Sequence, residues 1–319
     1  MAILTARGLI SDSDLGPTNA HIHLIAMPPA WLYRTPTFSN DPDYFLTDVD
    51  KAIEELRLFR RSGGAAAVDA TCRDYGRNPR ALMQIIEKVP EVKLILVTGF
   101  NRGIYLDEWY YVTSENKIAD LFANEVEVGI EETPLKAGLI KVGADYMRIL
   151  PIEEKCMRAA AAAHLSTGAP IVVHTTLGTA ALEVLHLLEK SNVDPESVIF
   201  YHVDRNLDPY YWEEVLSRGS YVVLDQIGKV KYGPEISRAR FIIDLIRIGF
   251  ENQVMLGTDI ARRSEMKSYG GGPGLDYLLS KFMPYLRKVL EKEGLDPRIG
   301  EKLIIDNPRR ALRMRVKSR

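Results

Sequence analysis

The 319 residues include six histidines, and two of them, His21 and His23, stand one residue apart in the apolar run TNAHIHL (18–24). On a β-strand the side chains alternate between faces, so residues two apart point the same way and their ring nitrogens can converge on one object. A metal ion is the object that suits paired imidazoles. Four more polar residues stand in other short apolar runs: Lys141 in AGLIKVGA (137–144), His174 in PIVVHTT (170–176), His202 in SVIFYHVD (197–204) and Asp259 in QVMLGTD (253–259). Alone, each has an ordinary explanation, such as a hydrogen bond inside the core or a helix cap. Together they make a metal site the expectation. His164 and His186 fall on predicted helices and are read as structural.

Lys141 is the odd member, because an ammonium among aliphatic neighbours is costly to bury and cannot ligate a cation. Deprotonated, it can add carbon dioxide to give a carbamate whose two oxygens each bind one metal. It can also form a Schiff base with a carbonyl substrate. The surrounding histidines favour the carbamate.

The elements that must position these residues are legible as eight short runs: the five above together with AAAVDAT (65–71), KLILVTGF (93–100) and SYVVLDQI (220–227). Between them lie amphipathic segments, among them 48–63, 152–168 and 179–192, two of which end on glycine. Eight strand-helix units predict an α/β fold, a (β/α)8 TIM barrel, with the active site at the C-terminal ends of the strands. No glycine-rich fingerprint opens a helix after the first strand, which argues against a doubly wound sheet. Without a Pro/Ser-rich linker, charged block or repeat, residues 1–319 are expected to form a single domain.

Composition removes other classes of function. A net charge of -2, from 41 basic and 43 acidic residues, leaves no basic footprint for nucleic acid or an anionic membrane. No apolar run reaches the roughly 18 residues of a membrane span. Cys72 and Cys156 lie far apart with no C-x-x-C, and the N-terminus lacks a signal-peptide pattern, so a cytoplasmic, reduced protein is expected.

The ordered set, H-x-H on strand 1, Lys on strand 4, His on strands 5 and 6 and Asp on strand 8, resembles the phosphotriesterase family of the amidohydrolase superfamily. The resemblance runs from Gly16 to DNPRRAL (306–312). It implies two divalent metal ions, zinc first and otherwise manganese, cobalt or iron. His21, His23 and Asp259 would hold the more buried ion and His174 and His202 the more exposed one. Carbamylated Lys141 would bridge them with a hydroxide, and Asp259 would accept the nucleophile's proton. A homodimer is also implied.

Such a centre does not choose between lactone, phosphotriester and amide. After the seventh strand comes GKVKYGP, with Lys229 and Lys231. After the eighth comes ARRSEMKSYGGGPGLDYL, with Arg262, Arg263, Lys267, Tyr269 and Gly270 to Gly272. Barrel enzymes often bind phosphate with these two loops. Lys229, Lys231, Arg262, Arg263 and Tyr269 are the candidate contacts, Arg262 first; the alternative is a solvated rim. Glu265 would repel phosphate unless it pairs with a base. With GRNPRAL (76–82) and GFNRG (99–103), these loops resemble the phosphofuranose lactonase branch. The expected reaction is opening of a phosphorylated sugar 1,4-lactone. The alternatives are an esterase for uncharged lactones with weak phosphotriesterase activity, a Schiff-base aldolase using Lys141, and a non-catalytic metal-binding scaffold. Tyr105, Trp109, Tyr110 and Tyr111 could wall the pocket or pack against a second subunit.

Overall fold

A computed structural model describes residues 1–29 and 41–315. The chain opens with an antiparallel hairpin, β1 (Ala2–Thr5) and β2 (Gly8–Ser11). Eight parallel strands follow: β3 (Thr18–Ile22), β4 (Ala66–Asp69), β5 (Lys93–Gly99), β6 (Ala137–Ala144), β7 (Ile171–Thr175), β8 (Val198–Tyr201), β9 (Tyr221–Leu224) and β10 (Val254–Leu256). Each pairs with its sequence neighbour, so the predicted TIM barrel is the architecture observed.

The helices outside it are α1 (Val49–Arg61), α2 (Pro79–Lys88), α3 (Glu108–Val112), α4 (Glu115–Glu127), α5 (Pro151–Thr167), α6 (Ala181–Lys190), α7 (Pro209–Leu216), α8 (Glu235–Arg247) and α9 (Met283–Lys292). Asp48, Asn78, Ser114 and Asp208 cap α1, α2, α4 and α7 by accepting first-turn N–H groups. Gly168, at φ 78°, supplies the left-handed residue that ends α5.

Closure is made at the site itself. Instead of a regular ladder between β10 and β3, the amides of Thr258 and Asp259 both donate to the His21 carbonyl (3.2 and 2.9 Å), and His23 N–H donates to Ile260 O at 3.1 Å. The Asn19 side chain adds bonds to the Thr258 hydroxyl (3.0 Å) and amide (3.2 Å). The seam of the barrel therefore carries His21, His23 and Asp259. All the predicted strands but the fourth are longer than those observed, and in the first, sixth and eighth the candidate residues His23, His202 and Asp259 lie past the last residue of the strand. His202 (φ 63°) and Asp259 (φ 43°) hold left-handed backbone, a strain of about 1–3 kcal/mol each that site residues often carry.

Alternation on β6 sends Leu139 and Lys141 to the same inward face. Leu139 joins Val68, Ile95, Val172, Ile199 and Val223 in the barrel interior, and Ile3 and Leu15 close that core from below. The hairpin is tied to this lower end by Ala6 N–H to Leu94 O (2.8 Å) and Lys136 N–H to Ala6 O (3.1 Å).

Arg77 of GRNPRAL serves the scaffold. Its guanidinium donates to Val97 O (2.7 Å), to both oxygens of buried Glu125 (2.9 and 2.7 Å) and to Glu131 (2.8 Å). Arg77→Ala leaves Glu125 buried without its partner and is expected to cost about 3–5 kcal/mol. Urea unfolding should show the loss as a lower midpoint with an unchanged slope.

Candidate active site

The four strand-end histidines share a pocket, and their outer partners settle which ring nitrogens carry hydrogen. His21 Nδ1 lies 2.7 Å from Asp225 Oδ2, and His202 Nδ1 lies 2.9 Å from Asp225 Oδ1. An ionised carboxylate only accepts, so both Nδ1 atoms are protonated and both Nε2 lone pairs face inward. The Thr71 hydroxyl donates to Asp69 Oδ1 at 2.6 Å, which leaves its oxygen to accept from His23 Nδ1 at 2.8 Å. Thr176 likewise donates to Ala144 O (2.7 Å) and stands 3.4 Å from His174 Nε2, leaving His174 Nδ1 as the acceptor. The Tyr201 ring stacks 4.0 Å from that of His21 and fixes its plane.

The consequence is four lone pairs aimed at one another. His21 Nε2 and His23 Nε2 are 3.3 Å apart, and His174 Nδ1 and His202 Nε2 are 2.9 Å apart. Asp259 Oδ1 lies 3.5 and 3.4 Å from the first pair. Lone pairs so placed repel unless a cation lies between them, a metal ion at either pair or, at the His174–His202 pair, a proton on His202 Nε2. Spacings of 3.3–3.5 Å suit neighbouring ligands on an ion whose bonds are about 2.1 Å. The donor set therefore fits a divalent metal. Its protonation fits as well. Burial lowers the pKa of His21, lowers that of His23 to about 3, and holds that of His174 well below the usual range, so all three are neutral ligands at neutral pH. For His202 burial also works against the cation, but Asp225 and Asp259 outweigh it and raise its pKa.

Asp259 divides its two oxygens. Oδ2 accepts from Lys229 Nζ at 2.9 Å and from Gln226 Nε2 at 3.1 Å, which leaves Oδ1 for the histidine side. Burial alone would raise its pKa, yet Lys229 and His21 hold it well below the usual carboxylate range. Lys141 is 1% exposed, and Nζ donates to Ala70 O at 2.8 Å. Among the described residues no carboxylate lies within 4 Å of it, so it has no direct ion-pair partner there.

A pocket of about 240 Å³ opens onto all six of these residues and is walled by Tyr44, Tyr75, Tyr105 and Tyr232. Of the five basic-loop candidates, Lys229 and Arg262 line it, while Lys231, Arg263 and Tyr269 do not. Lys231 Nζ is bound to Glu265 at 2.7 Å, and Glu265 also lies 3.6 Å from Lys229. The carboxylate that looked out of place is thus paired with the two lysines and cancels much of their charge. Arg263 turns away to donate to Phe45 O (2.7 Å), with Tyr269 beside it. Arg262 is half-buried and stacked 4.2 Å above the Tyr44 ring; among the described residues it has no carboxylate within 4 Å. Of the aromatic segment, Tyr105 lines the pocket, Tyr110 is buried, and Tyr111 is exposed.

The model of the phosphotriesterase family matches residues 1–312. The chain belongs to the phosphotriesterase family. That makes it a hydrolase, in a family of metal-dependent hydrolases. Among the relatives of this family member is a phospho-furanose lactonase of Mycoplasmopsis synoviae, 30% identical over 97% of this chain and 90% of its own. A solved lactonase from Listeria monocytogenes is 36% identical and superposes with a TM-score of 0.95, covering 99% of this chain and all of its own. The phosphotriesterase homology protein of Escherichia coli, solved with phosphate in its active site, is 32% identical with a TM-score of 0.86, covering 94% and 99%.

Asp225, Asp69 and Tyr44 were not among the residues singled out from the sequence of this phosphotriesterase family chain. Asp225 and Asp69 stand at the C-terminal ends of their strands, the same signal that marked the metal candidates. Tyr44 lies in the long connection after β3 and had no such mark.

Proposed function

We propose that the protein is a binuclear metal-dependent lactonase that opens a phosphorylated sugar 1,4-lactone. Arg262 carries the reading: a half-buried guanidinium lines the pocket with no carboxylate within 4 Å among the described residues. It is placed to take an anionic group on the substrate. The lactonase and the phosphate-bearing relative support the same choice. So does the size of the pocket, since about 240 Å³ suits a small sugar phosphate better than a long acyl chain.

His21, His23 and Asp259 would hold one cation, His174 and His202 the other, with carbamylated Lys141 between. Two such ions, zinc first among the candidates, supply an activated water and polarise the carbonyl under attack. The chain's own part is orientation. Asp225 and the Asp69–Thr71 pair lock the histidine tautomers. Lys229 and Gln226 fix the Asp259 carboxylate from behind, which makes Lys229 a partner of Asp259 first and a substrate contact second. Tyr44, Tyr75, Tyr105 and Tyr232 form the aromatic part of the pocket wall.

The test compares a sugar lactone with and without its 5-phosphate, using protein whose metal has been counted by elemental analysis. The expected result is two ions per chain and a large preference for the phosphorylated form. Arg262→Ala should reduce that preference about 10- to 100-fold, mainly through KM, as loss of a charge-assisted contact remote from the bond being broken. Equal rates on both lactones with full metal would replace this reading with an esterase for uncharged lactones.

A further inference from the structure

Arg262 owes its direction to a segment on the opposite side of the closing seam. The short turn Pro42–Tyr44, capped by Asp41, lies against the loop that follows β10. Three hydrogen bonds fasten the two. Asp43 Oδ1 accepts from Ser264 N–H at 2.6 Å, Asp43 Oδ2 pairs with the Ser264 hydroxyl at 2.8 Å, and Arg263 Nε donates to Phe45 O at 2.7 Å. Between these ties, the Arg262 guanidinium carbon sits 4.2 Å from the centre of the Tyr44 ring, and both side chains line the pocket.

An arginine can be held by a carboxylate or by a ring, and the two differ in what they leave over. A carboxylate uses the in-plane N–H groups and cancels the charge; Asp259 and Glu265 likewise cancel the charge of Lys229, and Glu265 that of Lys231. A ring contacts the flat face, leaving the five N–H donors at the guanidinium edge and the charge available to a ligand. We propose that Tyr44 is a positioning residue that sets selectivity for an anionic substrate by holding Arg262 face-on while its edge and charge remain free for the pocket. This deepens the reading of Arg262 as the anion contact and rests on it.

The experiment is a double-mutant cycle with Tyr44→Leu, Tyr44→Phe, Arg262→Ala and Tyr44→Leu/Arg262→Ala, all in metal-loaded enzyme. It reads kcat and KM on the paired lactones and the inhibition constant of inorganic phosphate. Tyr44→Leu should lower the preference for the phosphorylated lactone about 3- to 30-fold through KM and weaken phosphate inhibition in step. Tyr44→Phe keeps a ring and should restore most of both. In the Arg262→Ala background, Tyr44→Leu should alter the preference no further, because the residue through which it acts is gone. Additive effects in the double variant, or equal damage to both lactones, would make Tyr44 a plain pocket wall and overturn the inference. If the unmodified enzyme shows neither phosphate preference nor phosphate inhibition, the anion reading of Arg262 fails first and takes this one with it. If it shows both and Tyr44→Leu retains them, only the role of Tyr44 falls.

Discussion

Lys141→Ala is expected to abolish measurable turnover, a loss of about 10³-fold or more, and to empty or disorder the metal pair. The reasoning is one of charge. The side chain ends inside the site, 1% exposed, with the Ala70 carbonyl as its hydrogen-bond partner, beside four imidazoles, none of which supplies a negative charge. As a carbamate it would contribute an anion with two oxygens between the two histidine groups. As alanine it contributes nothing and leaves a hole about the size of the lost side chain. Acetate or propionate can enter such a hole and offer the same two oxygens, so either should restore part of the activity in a concentration-dependent way. Elemental analysis and turnover measured across an acetate titration check both halves. Retention of both metals and near-normal rates in Lys141→Ala would refute the bridging role.

Asp225→Asn should cost about 10- to 100-fold in affinity at one metal position, although it changes size hardly at all. Asp225 is fully buried and serves a histidine from each group, His21 through Oδ2 and His202 through Oδ1. An asparagine has one oxygen and one NH2. Whichever histidine meets the NH2 must become an acceptor at Nδ1, which moves its proton to Nε2, where a metal needs the lone pair. Asp225→Ala should weaken both positions, because neither tautomer is then fixed. Competition against a chelator, resolved into two binding steps, separates the two variants. Wild-type affinity at both positions in Asp225→Asn would mean that packing alone orients these rings.

The barrel and its eight strands were legible because each strand is a short apolar run and each is followed by turn or cap residues. The candidate ligands were legible because polar side chains in such runs demand an explanation. The hairpin Ala2–Ser11 was not, since two strands of four residues carry too little pattern to separate from a tail. The basic loops were harder still. Neighbouring residues in a tight turn take different directions, and the sequence gives no period from which to choose between them. Arg262 enters the pocket and Arg263 leaves it, because Ser264 and Arg263 are engaged by Asp43 and Phe45, more than 200 residues away in the chain. Arg77, in a stretch that carried the resemblance to the lactonase branch, is consumed by Glu125 and Glu131 for the same reason. Long-range partners decide what a surface charge does, and one sequence does not display them.

The barrel interior is packed with side chains, and Ile3 of the hairpin and Leu15 just after it cover its lower end, so the barrel is a cup and not a pipe. Whatever enters at the rim must leave at the rim. Under the proposed reaction, ring opening of a phosphorylated lactone yields a hydroxy acid that has gained a carboxylate, and this more highly charged product would depart past the Arg262 guanidinium. On that reading traffic in the two directions shares one gate, and Arg262 would hold product as well as substrate. If so, the enzyme would run fastest where a following step removes the hydroxy acid as soon as it forms.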